Sequence, residues 1–140
     1  MLLATACTPR DAGVVAAGDL SVHGAFAFAP PTTSEAAAYF TVVNHGSVPD
    51  TLVSITSGVA ASAMVHGQVP DGAMVRMQHI EAPVVLPHDS LALAPGGTHL
   101  MLMDLKSLPR PGDSISVTLT FSHAGPVTLM LPVRAYGDAP

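Results

Sequence analysis

Proline and glycine interrupt this chain so often that few segments are long enough for a helix. Thirteen prolines and twelve glycines are spread over 140 residues, and they separate short runs rich in Val, Thr, Leu and Ala. Brief β-prone runs bounded by turn residues are typical of all-β proteins. A chain of this length fits one domain and can bury about two-thirds of its unfolded surface. We therefore expect a single-domain β-sandwich.

The pattern of the sequence divides the chain into three parts. Residues 1–18 lack a periodic pattern and are predicted to be a truncated signal or flexible leader. Residues 19–133 are predicted to form the domain, and residues 134–140 are predicted to be a tail. The segment SEAAAYF, residues 34–40, has a helix-forming start, but its aromatic and β-branched continuation favours a strand. Turns are predicted at Asn44-His45-Gly46, Pro70-Asp71-Gly72, Pro95-Gly96-Gly97 and His123-Ala124-Gly125.

The single cysteine bears on the compartment in which the protein is found, and the net charge bears on the kinds of partner that it can bind. Cys7 follows a short apolar run with small residues, as in an exported lipoprotein, but no Lys or Arg precedes that run. Two interpretations stay open: a lipid anchor on Cys7, or an incidental cysteine in an unmodified leader. The cysteine-free body suits an oxidising compartment, the periplasm or the outside face of the membrane. A formal net charge of −5 with 11% charged residues offers no basic surface for nucleic acid.

The segment THLMLM, residues 98–103, places unusual side chains on one face of a strand. Successive side chains point to opposite faces, so His99, Met101 and Met103 share one face and two leucines share the other. The same spacing of two recurs at Met64-Val-His66 and Met77-Gln-His79. Thioether and imidazole donors favour Cu(I) over Mg²⁺ or Ca²⁺, and thioethers escape the oxidation that damages thiols. The alternative is that the methionines fill core gaps and the histidines are solvated.

The spacing of four donors resembles that of a known family. His66, ten residues, Met77, twenty-one residues and then His99-Leu-Met101 match the H-x10-M-x21-H-x-M pattern of the PCu(A)C-type periplasmic copper chaperones. The segments AAAYFTVVNHG, PGGTHLMLMDLK and LTFSHAGPVTLMLPV are also similar to that family, so the resemblance covers about residues 19–133. It implies a cupredoxin-like (immunoglobulin-like Greek-key) β-sandwich that binds Cu(I) through His66, Met77, His99 and Met101. It also implies delivery of Cu(I) to the binuclear copper centre of cytochrome c oxidase.

The chain departs from the family pattern in two ways. Met64 and His79 add donors beside the four, and each is either an auxiliary copper ligand or an ordinary packed or solvated side chain. Some family members carry a His/Met-rich C-terminal extension, whereas this chain ends at Pro140, so a single principal site is expected. Cu(II) as additional cargo is left open. The expected partners are the copper ion and either a copper-accepting oxidase subunit or another copper chaperone, with the chain acting as a monomer.

The residues argue against other classes of protein. A blue-copper electron carrier needs a cysteine thiolate with two histidines, and the one cysteine lies in the leader, so this class is not expected. Zinc prefers cysteine, histidine or carboxylate ligands to methionine, so a zinc site is not favoured. No nucleophile-elbow or metalloprotease motif occurs, so we do not expect an enzyme. The main alternative is a β-sandwich interaction or assembly module of the envelope, which predicts no tight copper binding. The histidines at 23, 45, 88 and 123 lie in strand-end or turn contexts and are assigned no role.

Overall fold

The computed structural model describes residues 14–136, and every regular element in that range is a β-strand. The strands are β1 (Val15–Ala17), β2 (Leu20–Phe28), β3 (Glu35–Asn44), β4 (Asp50–Ser57), β5 (Ala60–Asp71), β6 (Met74–Ile80), β7 (Val84–Val85), β8 (Ser90–Leu93), β9 (His99–Leu105), β10 (Ser114–Phe121) and β11 (Gly125–Arg134). The expected all-β class is therefore confirmed, and the segment SEAAAYF enters β3 rather than a helix. Cys7 lies outside the described residues, so its lipidation stays a prediction.

Within residues 14–136, no helix is long and apolar enough to cross a membrane.

The strands follow a path with crossovers, as in a Greek-key sandwich. Neighbouring strands are hydrogen-bonded in the order β6-β5-β9-β3-β2-β11-β10-β4-β7, while β1 joins β2 and β8 joins β3. Within the described residues, these strand pairs are antiparallel except for β11 with β2, which is parallel over Val133 and Arg134. One continuous apolar core unites side chains from both halves of this path, from β3, β5 and β9 on one side and β4, β10 and β11 on the other. The β-sandwich prediction is confirmed.

Strand β9 shows how alternation divides core from surface. Leu100 and Leu102 are fully buried, whereas His99, Met101 and Met103 on the opposite face are half-buried. Each buried leucine contributes about 1.5–3 kcal/mol of hydrophobic stabilisation. Because moving the pairing by one residue would turn both leucines to the surface, the core fixes which face carries histidine and methionine.

A bulge in β2 changes which of its residues face outward. His23 pairs with Thr41, but the next pair is Phe26 with Tyr39, so β2 contains one extra residue over this step. Gly24 lies at the bulge with φ +64°, a left-handed conformation that glycine adopts without a Cβ clash. Before the bulge, even-numbered residues such as Val22 face the core; after it, Phe26 lies on the outer face with Tyr39.

One predicted turn is corrected by the structure, and two strands extend beyond the predicted domain bounds. Pro70 lies inside β5, opposite Val75, so the predicted Pro70-Asp71-Gly72 turn is replaced by the two-residue loop Gly72-Ala73. Gly72 has φ +64°, as the first loop residue of a tight hairpin requires. Strand β1 pairs with β2 although residues 15–17 were assigned to the leader, and β11 continues to Arg134, one residue beyond the expected domain end.

A buried carboxylate joins the start of β4 to the turn between β10 and β11. Asp50 is only 4% exposed. Its oxygens accept hydrogen bonds from the backbone N–H groups of Thr51, His123 and Ala124 and from the Ser122 hydroxyl, at 2.9 to 3.1 Å. Burial alone would raise the pKa of Asp50, but these four donors outweigh it and hold the pKa below its usual value. The turn therefore depends on an ionised side chain.

Candidate metal centre

Three adjacent strands bring the predicted histidine ligands together. In the register of β5, His66 lies opposite His79 on β6 and opposite His99 on β9. The ring centres of His66 and His99 are 5.7 Å apart, and those of His66 and His79 are 6.3 Å apart. His66 and His99 are thus direct neighbours in space, although they are 33 positions apart in the sequence.

The predicted methionine ligands lie on the same face. Met101 pairs with Ala37 on one side and with Met64 on the other, and Met77 pairs with Gln68. Met77 is 46% exposed, so core packing does not account for its position. The four family positions and the two additional donors therefore form one cluster on the outer face of β6, β5 and β9, here called the His/Met face. Its members are Met64, His66, Met77, His79, His99 and Met101.

A hydrogen bond orients one imidazole of this face. The Nδ1 atom of His99 lies 3.0 Å from the Gly97 carbonyl oxygen. A carbonyl can only accept, so in this bond Nδ1 carries the proton and Nε2 keeps a free lone pair. Imidazole ligands commonly donate their second N–H in this way, which fixes the ring orientation. The hydrogen bond to Gly97 thus leaves Nε2 of His99 with a lone pair that is available to a metal ion.

Contacts outside the predicted ligand set position the hairpin that carries Met77. The Gln68 side chain donates a hydrogen bond of 2.9 Å to the Gly96 carbonyl oxygen, which joins β5 to the turn before His99. A Cβ atom at position 67 would overlap the Ile80 side chain, so glycine allows Ile80 to pack there. Sequence reasoning missed Gln68, although it shares the face of His66 by the same spacing of two.

The electrostatic surroundings favour a neutral His66. Burial is the largest cause that lowers its pKa below the usual 6.5, and the neighbouring imidazoles of His99 and His79 lower it further, against an opposite effect of Glu35. A neutral imidazole is the form that binds metal. Within residues 14–136, no three His, Cys, Asp or Glu side chains are grouped so that they could hold a metal ion in the arrangement seen here.

An aromatic groove adjoins the His/Met face beyond Met101. The rings of Phe26, Phe28, Tyr39 and Tyr136 contact one another with centres 5.2–5.7 Å apart. Three of these rings line a groove of about 310 Å³ together with Met101, Glu35 and the segment 29–32. The sequence did not predict this groove, because the bulge at Gly24 that turns the two Phe rings outward leaves no periodic signal.

The fold and this face define a class, a cupredoxin-like β-sandwich with a surface cluster of histidine and methionine. The family model described as "Putative lipoprotein LpqE-like" matches residues 20–133. The chain belongs to this LpqE-like family, and its resemblance to the PCu(A)C-type family is confirmed by solved structures. The copper-bound PCuAC domain from PmoF2 has a TM-score of 0.75 at 28% identity, covering 87% of this chain and 97% of that domain.

Two further relatives extend the comparison. The solution structure of CuI-DR1885 from Deinococcus radiodurans has a TM-score of 0.68 at 26% identity, covering 92% of this chain and 87% of that one. The "Putative lipoprotein Lxx21020" of Leifsonia xyli subsp. xyli is 38% identical over 104 residues, 74% of this chain and 63% of that protein. The chain thus spans about three-fifths of the length of its curated relatives.

Proposed function

We propose that this protein is a Cu(I) metallochaperone that carries one copper ion on the His/Met face. The observation that carries the proposal is the direct cross-strand pairing of His66 with His99, with Met77 and Met101 on the same outward face. The proposed ligands are those four side chains. All four donors are neutral and soft or intermediate, which suits Cu(I) and leaves the bound ion with its single positive charge.

Exposure of the donors suits release as well as binding. Met77 is almost half exposed and lies on the edge strand β6, where an incoming ligand from a partner can approach. His66 and His99 are only half-buried. An acceptor can therefore replace the thioether first, so that the ion passes through shared coordination without being released into solvent.

The proposed location and the proposed destination of the ion rest on the resemblance to copper chaperones. We propose an envelope location, in the periplasm or on the outer side of the membrane, with Cys7 as a lipid anchor. This agrees with the lipoprotein names of the family and of the Leifsonia relative. The proposed acceptor is the subunit that holds the binuclear copper centre of cytochrome c oxidase, or another copper chaperone, and the carrier acts as a monomer.

Transfer is tested by NMR with the isotope-labelled protein. We expect the Cu(I)-loaded form, mixed under anaerobic conditions with the apo copper domain of the oxidase subunit, to return to its own apo spectrum while the acceptor gains copper-dependent shifts. The same mixture made with the apo chaperone is the control for contact without metal. Copper that stays on the labelled protein with every oxidase or chaperone acceptor tried would reject the transfer role.

Cu(I) affinity is expected to fall as the pH falls. Each imidazole ligand must lose its proton to bind, so two imidazoles that are protonated in the metal-free protein cost up to about 100-fold in affinity for each pH unit of acidification. Because the pKa of His66 is lower than the usual 6.5, protonation of His66 begins to reduce the Cu(I) affinity only below pH 6.5. Competition titrations between pH 7.5 and 5 check this, with His123→Ala as the control. Affinity independent of pH would mean binding by thioethers alone.

A further inference from the structure

The His/Met face carries one imidazole more than the proposed Cu(I) site uses. His79 lies outside the H-x10-M-x21-H-x-M positions, yet it is directly opposite His66, as His99 is on the other side. The result is a row of three imidazoles across β6, β5 and β9. The middle ring, His66, is inclined at 65° to one neighbour and at 79° to the other.

The separations of the two adjacent ring pairs fit ligands of one metal ion. Imidazole nitrogen binds a transition metal at about 2 Å, so two rings on one ion keep their centres roughly 4.5–6.5 Å apart. The separations of His66 from His99 and from His79, 5.7 and 6.3 Å, lie in this range. The outer two rings lie on either side of His66, and the three do not meet at one point in the arrangement seen here, so binding of one ion requires His79 to turn toward the other two. His79 is exposed on an edge strand, where turning its side chain toward His66 meets little resistance.

The donor types distinguish the two oxidation states of copper. Thioether sulfur favours Cu(I), whereas nitrogen and oxygen donors in a tetragonal arrangement favour Cu(II), which also binds such sites more tightly than Zn²⁺ does. We propose that the protein holds Cu(II) through His66, His79 and His99, with solvent completing the coordination. This proposal rests on the proposed function, because His66 and His99 would be ligands in both sites. It makes His79 a copper ligand, which it is not in the proposed Cu(I) site.

The proposal predicts that two variants have opposite effects. His79→Ala removes a Cu(II) ligand and leaves the four Cu(I) ligands intact, while Met77→Leu removes a Cu(I) ligand and leaves the three imidazoles. Because His66 and His99 belong to both sets, the two oxidation states exclude each other from the face. One equivalent of copper in either state is therefore the limit for these residues.

The experiment measures both oxidation states in the full chain. Cu(II) is followed by electron paramagnetic resonance with pulsed detection of bound nitrogens, and Cu(I) by anaerobic chelator competition. We expect three coordinated imidazoles in the wild type and two in His79→Ala, with Cu(II) affinity lowered about 100-fold or more, because loss of a ligand should cost at least as much as loss of a residue that supports one, and with Cu(I) affinity unchanged. Met77→Leu should show the reverse pattern. His79→Gln serves as a second variant that keeps a polar side chain on β6, and His123→Ala is the control for Cu(II) on unrelated histidines.

The possible results separate this proposal from the proposed function. A Cu(II) spectrum that is the same in His79→Ala and the wild type overturns the three-imidazole site and indicates an adventitious ion only. Equal losses of Cu(I) and Cu(II) affinity also overturn it, because His79 would then act through the hairpin. Three imidazoles on Cu(II) without tight Cu(I) binding would support this site and reject the Cu(I) carrier.

Discussion

Replacing Met101 with alanine is expected to lower the Cu(I) affinity by about 100-fold or more. Loss of residues that merely support a metal ligand typically costs 10- to 100-fold, so loss of the ligand itself should reach or exceed the upper value, about 2.7 kcal/mol. Met101 lies on β9 two residues after His99, on the same face. Met64 is its direct neighbour on β5, so its thioether is placed to compensate in part.

Anaerobic competition with a chromophoric Cu(I) chelator measures this loss. Met101→Leu keeps the side-chain volume and removes only the sulfur, so it separates ligand loss from packing. Met130→Ala is the matched control, because Met130 is 57% exposed on β11, away from the His/Met face. Equal affinities of Met101→Leu and Met130→Ala would remove Met101 from the site. If the wild type also fails to bind tightly, the envelope interaction module becomes the better interpretation.

Replacing Asp50 with alanine is expected to lower the free energy of unfolding by about 2–4 kcal/mol. Each buried donor left without a partner costs about 1–3 kcal/mol, and solvent can reach part of the exposed turn at Ser122 and His123. Chemical denaturation of the apo protein measures the change. Asp89→Ala is the control, since Asp89 is exposed and its side chain accepts one hydrogen bond, from the Ser90 N–H. A loss no larger than in that control would contradict a structural role for Asp50.

The contribution of Asp50 to the free energy of unfolding is also expected to depend on pH. The pKa of its carboxyl group is lower in the folded protein than in the unfolded chain, where it is about 3.9. Its contribution to stability is therefore present above that unfolded value and is lost as the pH falls through the folded pKa. Asp50→Asn should remove this part of the acid dependence. The amide oxygen can take the place of Oδ1, the acceptor for Thr51, Ser122 and His123, although the Ala124 N–H loses its acceptor, so Asn should be less destabilising than Ala at neutral pH.

The class of fold and the outward face of β9 could be predicted because both depend on local patterns. Turn residues delimit strands, and a period of two separates His99 and Met101 from Leu100. The resemblance implies what periodicity alone does not contain, the prediction that His66, Met77 and His99 belong to one site. The structure agrees in placing these residues on adjacent strands, and their ligation of copper stays a prediction.

Other features depend on tertiary interactions that leave no local pattern. One extra residue at Gly24 reverses the outward face of β2, so the aromatic groove beside Met101 was not predicted. Pro70 was assigned to a turn on its usual preference, yet it lies in β5 because the hairpin closes two residues later at Gly72. The Gln68 bond to the Gly96 carbonyl joins segments 28 residues apart, which sequence spacing does not reveal.

The distribution of the proposed ligands over three strands has a thermodynamic consequence. His66 and His99 are neighbours only while β5 is paired with β9, and Met77 joins them only while β6 is paired with β5. An unfolded chain presents these donors far apart, so the proposed site would bind copper in the folded state in preference. The binding energy would then be added to the free energy of unfolding, in proportion to the logarithm of the free copper concentration when the site is near saturation. For the proposed carrier, the copper-loaded form would therefore unfold less readily than the empty form, and delivery of the ion would return the protein to the less stable state.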